Sequence, residues 1–270
     1  MTPESTRHEP ARPAAASRIA GTRRQASMIT ASVVLVAVIA LSWATRSSDV
    51  SAVAFDEQVT RVEIQISSGD LTITGTTSGT PQLRSHSDDG LIRAADVTHR
   101  VDGGTLHVEA RCHGNSIVPT FGCRADIDLS VPGGVAVVAE SSGGSIETRD
   151  LRGDTTLESS AGPIDVAHQG GPLSARSTGG DVVVTDLAVD EAQVTSTAGS
   201  VQVESSVPPR SLDAESSGGP VSVTVPAGHT YDVQASSRVG GATIDASTNH
   251  SSIFKVRAFS NAGPVNVGTG

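Results

Sequence analysis

The chain has 270 residues, a formal net charge of −10 and only 2% aromatic residues. That balance excludes a nucleic-acid binder, which needs a basic groove and rings on which bases stack. It also means that any core is assembled from many small aliphatic contacts.

Residues 1–27 are rich in Pro, Ala, Ser, Thr and Arg with no apolar period, and they read as a disordered tail. Residues 28–44 carry no charge, so a membrane-spanning helix is expected over 28–45, at the short end of the usual length, with Trp43 suited to the interface. Arg7, Arg12, Arg18, Arg23 and Arg24 against Glu4 and Glu9 give the tail a charge of +3; with a total of −10, residues 28–270 carry −13. The positive-inside rule then places the N-terminus in the cytoplasm and the remainder outside, a single-pass topology in the cell membrane. A cleaved signal is the competing reading. Ala52-Val53-Ala54 offers small residues, though well past the apolar run, and Thr22-Arg23-Arg24-Gln25 matches part of a twin-arginine signal that Ala26, Ser27 and Met28 do not complete. Residues 46–54 read as a linker.

Residues 55–270 read as one β-rich ectodomain, of which 55–130 form an opening cap. Val62, Ile64 and Ile66 alternate with Arg61, Glu63 and Gln65, and Ser67-Ser68-Gly69-Asp70-Leu71-Thr72-Ile73 supplies a turn and a second strand. Between 75 and 104 the strand signals are weak, near 82–84 and 91–93; 105–110 and 125–131 are stronger. Cys112 and Cys123 make an even count, which in an extracytoplasmic chain reads as one disulfide, stabilising by roughly 2–3 kcal/mol. A metal site on Cys112, His113 and Cys123 is the rival; it lacks a fourth ligand, and adjacent residues of an extended chain point opposite ways. Asp126 and Asp128, separated by Ile127, share a strand face that could hold calcium or be simply solvated.

Residues 131–270 are regular repeats. One eight-residue phrase recurs seven times, at 141–148, 159–166, 177–184, 196–203, 216–223, 237–244 and 260–267, with starts 18 to 23 residues apart. In each, apolar or small residues alternate before the first Ser and resume at positions six and eight, so every unit holds two short strands with one inward face. Position four is Gly throughout, which suggests a corner of positive φ. One such unit cannot bury its own face, but units stacked roughly 4.8 Å apart can, each strand pairing with its copy in the next unit. The expected fold is all-β, a parallel β-solenoid of two-strand coils about 19 residues long, preceded by the one membrane helix. The first Ser of each phrase should form a structural ladder at the corner.

From the first inward residue of a unit to the last the count is constant, so all variation falls in the return segments, which lengthen from six residues (149–154) to eleven (245–255). The longer ones bring Arg210, His229, Tyr231, His250 and Lys255, the only Tyr and Lys of the chain among them, as a candidate binding edge. The bland alternative is that return segments drift because they touch solvent.

The Val-Pro-x-Gly phrase (131–134 and 225–228) before a strand, the repeated Ser-Ser/Thr-Gly-Gly/Asp-x-Val units, the tail and the single membrane helix together resemble the bacterial adhesin-like DUF4097 family over about residues 55–270. The resemblance implies a right-handed β-helical surface protein, some relatives being associated with envelope-stress systems, and it brings no catalytic residues. The corner Gly-Asp of that family is kept at Gly69-Asp70 and Gly180-Asp181, while Ser145, Pro163, Ser200, Pro220 and Pro264 stand elsewhere. A shared role for the corner Asp is left open by this departure.

The expectation is therefore a non-enzymatic surface or envelope protein, with no catalytic, cofactor or metal residues assigned. Its partners would be the bilayer, through the N-terminal helix, and an envelope or surface molecule, protein or glycan. A polysaccharide-acting enzyme is one alternative, since β-helices host carboxylate sites, but Val183 breaks the row of Glu147, Asp165 and Glu204 and sugar-stacking rings are scarce. A sensor or assembly part is another, in which the last coil, 265–267, recruits a strand through unpaired backbone.

Overall fold

The computed structural model describes residues 48–77, 79–88, 93–114 and 123–270. The predicted tail and membrane helix lie outside the described residues, and among those described no helix is long and apolar enough to cross a membrane.

All regular structure described is β. Strands β1 (Ser48–Ala54), β4 (Gln82–Asp88) and β5 (Arg93–Asp102) stand apart from nine two-strand coils. The first coils in sequence are β2 (Arg61–Ile66) with β3 (Leu71–Thr76), β6 (Thr105–Gly114) with β7 (Arg124–Pro132), and β8 (Ala136–Ser141) with β9 (Ile146–Arg149). Next come β10 (Thr155–Ser159) with β11 (Ile164–Ala167), β12 (Leu173–Ser177) with β13 (Val182–Leu187), and β14 (Glu191–Ser196) with β15 (Val201–Ser205). The last are β16 (Ser211–Ser216) with β17 (Val221–Val225), β18 (Asp232–Ser237) with β19 (Ala242–Ile244), and β20 (Lys255–Ser260) with β21 (Val265–Thr269). One strand of each coil joins an 11-stranded sheet and the other a 10-stranded sheet, all coil-to-coil pairings being parallel. The period-two patterns account for this: Val137, Ala139, Ile146, Leu157, Ile164, Val182, Val194 and Val203 are all buried between the sheets while their neighbours face out.

Stacking does not follow chain order at either end. The coil β6/β7 lies outside β2/β3, and β8/β9 packs on the other side of β2/β3. At the far end β20/β21 is inserted between β16/β17 and β18/β19. Within the repeats the expectation that each strand pairs with the next copy thus holds from β8/β9 to β16/β17 and again between β18/β19 and β20/β21, and fails only between β16/β17 and β18/β19. Residues 265–267 are not an exposed last coil; they are paired on both sides, and β18/β19 is terminal. The two longest return segments acquire a mechanical cause: the chain must skip one level to reach β18 and descend one level to reach β20.

At the opposite end the sheets finish in antiparallel strands. β5 pairs with β6 across a Gly103-Gly104 turn with both φ values positive, and β4 lies between β7 and β1. β1 occupies most of the segment read as a linker. Cys112 at the end of β6 and Cys123 before β7 form the predicted disulfide, with Cα atoms 6.1 Å apart, which uses both sulfurs and removes the metal alternative.

The invariant glycines act through close approach more than through φ. An added Cβ on Gly144 would lie 1.8 Å from the Gly69 carbonyl oxygen, on Gly162 1.8 Å from that of Gly144, and on Gly199 2.4 Å from that of Gly180. Gly69, Gly144 and Gly240 have positive φ, but Gly162, Gly180, Gly199, Gly219 and Gly263 do not, which corrects the expectation of a left-handed corner. Beside them the serines form a relay. Ser196 Oγ accepts from Gly199 N–H at 2.9 Å and donates to the Gly180 carbonyl of the preceding coil at 2.8 Å. Ser177, Ser216 and Ser260 repeat the two bonds. Each hydroxyl is thereby satisfied in a buried corner and ties two coils together.

The coil order is directly testable. Ser222 and Asn266 are register partners, with Thr243 one level further. The Ser222→Cys/Asn266→Cys chain should close a disulfide under mild oxidation and Ser222→Cys/Thr243→Cys should not; the reverse result would show stacking in chain order.

Candidate functional site

Position five of each phrase explains the mixture of Asp, Ser and Pro. In the stack this column reads Asp126, Asp70, Ser145, Pro163, Asp181, Ser200, Pro220, Pro264, Gly241. Asp126 Oδ1 accepts the Asp70 N–H at 2.8 Å; Asp70 Oδ1 accepts the Ser145 N–H at 2.9 Å and its hydroxyl at 2.8 Å. Asp181 Oδ1 likewise takes the Ser200 N–H at 2.6 Å and hydroxyl at 2.8 Å. At three other levels, Pro163, Pro220 and Pro264, the residue above is a proline and has no N–H to satisfy. The corner Asp is therefore a turn-bonding residue. Arg124 adds ion pairs to Asp70 and Asp126, which draws Asp126 into the corner and away from an open calcium site.

Hydrogen bonds from the Ser145 backbone and hydroxyl, with help from Arg124, hold the Asp70 carboxyl below its ordinary pKa, and those from Ser200 do the same for Asp181. Asp165 is raised, first by burial and then by the nearby Glu147. Glu147 and Asp165 are register partners, but the next residue of their column is Val183, and Glu204 lies in the neighbouring column beside Thr224. With Glu147 paired to Arg149, the three carboxylates do not converge as an acid and base pair must.

The predicted binding edge is only partly assembled. Arg210 and Lys255 lie on adjacent levels, with the Lys255 N–H donating to the Arg210 carbonyl at 3.1 Å, and Arg210 Nε sits 3.5 Å from Asp190. His250 Nδ1 is 3.1 Å from Asp232, the register partner of Lys255. His229 packs edge-on against Phe254, ring centroids 5.8 Å apart. Tyr231 drops out of the set: it is fully buried, and its hydroxyl donates to the Pro226 carbonyl at 2.8 Å. An aromatic residue in a return segment here fills the core where the stack skips a level.

Two features lie beyond the sequence reading. On the outward face of the 10-stranded sheet three open hollows follow one another along the stack. The first, about 330 Å³, lies among Glu63, Gln65, Arg100, His107, Glu109 and Arg111; the second, about 160 Å³, among Glu140, Glu158, Arg176 and the corner serines; the third, about 350 Å³, among Glu191, Gln193, Ser211 and Asp213. The alternating sequence marks these residues as outward, but only the assembled sheet shows that they line hollows. The second feature is at three successive return corners, where Asp150, His168 and Asp186 take left-handed φ of 59°, 54° and 52°, a region Asp and His tolerate better than most residues. His168 lies between the two carboxylates, 3.5 Å from Asp150 and 3.6 Å from Asp186. Among the described residues no group of three His, Cys, Asp or Glu side chains is placed to hold a metal ion.

No protein-family model matches the chain, DUF4097 included, and no curated protein matches it. Among solved structures it is similar to a "putative cell adhesion protein" from Clostridium sporogenes, with 11% identity over 84% of this chain and 100% of that one and a TM-score of 0.39. A "putative adhesin" from Bacteroides fragilis gives 12% identity, 83% and 98% coverage and a TM-score of 0.40. A "putative lipid binding protein" from Parabacteroides distasonis gives 10%, 82% and 96%, and 0.33. Likeness at this level assigns neither a family nor an activity.

The corner carboxylates give a pH prediction. A folded pKa below the unfolded one contributes stability that is present above the unfolded value, near 4, and is lost as pH falls through the folded value. Asp181→Ala should cost about 1 kcal/mol at pH 7 in urea unfolding, and the difference from the parent chain should shrink below pH 4. A difference that is unchanged at pH 3 contradicts the role.

Proposed function

We propose that this chain is a non-enzymatic, adhesin-like β-solenoid held in the cell membrane by residues 28–45, with its β body outside. It presents the hollowed outward face of the 10-stranded sheet to an envelope or surface partner, protein or glycan. The run of hollows along one face carries this reading: an extended partner lying along the stack would meet polar side chains of several successive coils at once. The dispersal of Glu147, Asp165 and Glu204 weighs against the polysaccharide-acting enzyme. A Cys112–Cys123 disulfide fits an oxidising compartment, and the +3 tail ahead of residues 28–45 fits a cytoplasmic N-terminus.

Both native cysteines are joined, so a single introduced thiol reports on its own surroundings. In intact cells making the full chain, Gln193→Cys should react with a membrane-impermeant maleimide and, with a bifunctional one, capture a partner; Ser17→Cys in the tail should stay unlabelled. A labelled tail with a protected Gln193→Cys would reverse the topology. Efficient labelling of Gln193→Cys with no captured partner, while Ser222→Cys on the opposite sheet captures one, would move the binding face.

A further inference from the structure

The terminal coil β18/β19 leaves both sheets open at one level. Even-numbered residues of β18 bond towards β20, as the Asp232 N–H to the Phe254 carbonyl and the Arg238 N–H to the Ser260 carbonyl show. Val233, Ala235 and Ser237 therefore turn their backbone N–H and C=O groups outward, with no strand beyond them among the described residues. In β19 the Gly241 carbonyl and Asp245 N–H bond to β21, so Ala242 and Ile244 face out in the same way. The segment around Thr248 bridges Tyr231 and ends the open run there.

The other end finishes differently, in the antiparallel edge strands β1 and β5, the latter with Asp96, Arg100 and Asp102. β18 holds one charged residue, Asp232, β19 is three residues long with none, and neither holds a proline, so along β18 little charge and no proline guards the open edge. Exposed apolar groups gather at the same end: Val239 is 67% exposed, Ile253 62% and Ile244 40%.

We infer that this open coil is a self-association surface, and that its partner is the same coil of a second copy related by a two-fold axis normal to the sheets. Ala235 and Ile244 lie equally far from the corner on the two strands, two residues beyond Ser237 and Ala242. An axis through them sets Ala235 against Ala235 of the second copy and Val233 against its Ser237, every outward backbone group meeting a partner in an antiparallel ladder. In the other sheet Ile244 packs on its own copy. The same axis sets Asp232 opposite Arg238 of the second copy, twice, on the outer face of the joined sheet. Asp232 also holds His250 of its own chain at 3.1 Å, which leaves the pairing with Arg238 on an already ordered carboxylate. Asp232 at the start of β18 and Arg238 just past its end are complementary only in an antiparallel pair of copies. The inference is independent of the anchor and of the hollowed face.

Ala235→Cys tests the axis, because Cα atoms about 5.5 Å apart in such a pair lie within disulfide reach. In detergent, the full chain with Ala235→Cys should oxidise to a covalent dimer while Gln193→Cys does not. In sedimentation the parent chain should show a concentration-dependent monomer and dimer. Arg238→Asp should weaken the dimer about tenfold, since the lost pair and the new repulsion each occur twice, and Asp232→Arg/Arg238→Asp should restore it. A concentration-independent monomer, growth beyond the dimer, or a dimer that Ala235→Cys does not trap would each overturn the inference.

Discussion

Everything in this fold depends on how closely one corner can lie on the corner beneath it. Parallel strands pair across a fixed spacing of roughly 4.8 Å, and at the corner that spacing brings glycine Cα atoms onto the carbonyl groups of the preceding coil, with room for hydrogen and nothing larger. The serine relay follows from the same approach. Once the corner backbones touch, the Gly N–H and the carbonyl below can be satisfied by one hydroxyl between them, buried and used in both directions. Where the row ends the relay weakens: Ser141, next to Ile66, keeps only a 3.5 Å contact with its own Gly144 carbonyl.

Fixing the corner leaves the rest of each coil free to vary. At position five a carboxylate below accepts the N–H at three levels and a proline without an N–H stands at three others, two solutions to one backbone donor. The return side tolerates left-handed Asp150, His168 and Asp186, a shift of register between Val184 and Leu187, and segments long enough to let the chain skip a level. Binding surface can thus be built on the outward faces and at the ends without disturbing what holds the coils together.

Much of this is legible in the sequence. The recurring Ser and Gly and the period-two apolar residues locate both strands of every repeated unit, and the two cysteines give their bond. Three things are not. Steric crowding by a neighbouring coil looks in sequence the same as a demand for positive φ, so the glycines suggest the wrong cause. Level skipping leaves only lengthened segments as its trace, and those invite a functional reading; Tyr231, buried where the chain climbs, falls on the predicted binding edge for that reason. The hollows around His107, Glu158 and Gln193 arise from the shape of the whole sheet, which no local pattern carries.

The central claim is that contact at the corner, and not the conformational freedom of glycine, holds the stack. Gly199 sits at φ outside the left-handed region with the Gly180 carbonyl oxygen 2.4 Å from where a Cβ would be, whereas nothing lies within 4 Å of a Cβ on Gly134. Urea unfolding of the full chain with Gly199→Ala and with Gly134→Ala separates the two accounts. Contact predicts a loss on the order of 3 kcal/mol or more for Gly199→Ala and a change within about 0.5 kcal/mol for Gly134→Ala. Equal tolerance of both substitutions would contradict it.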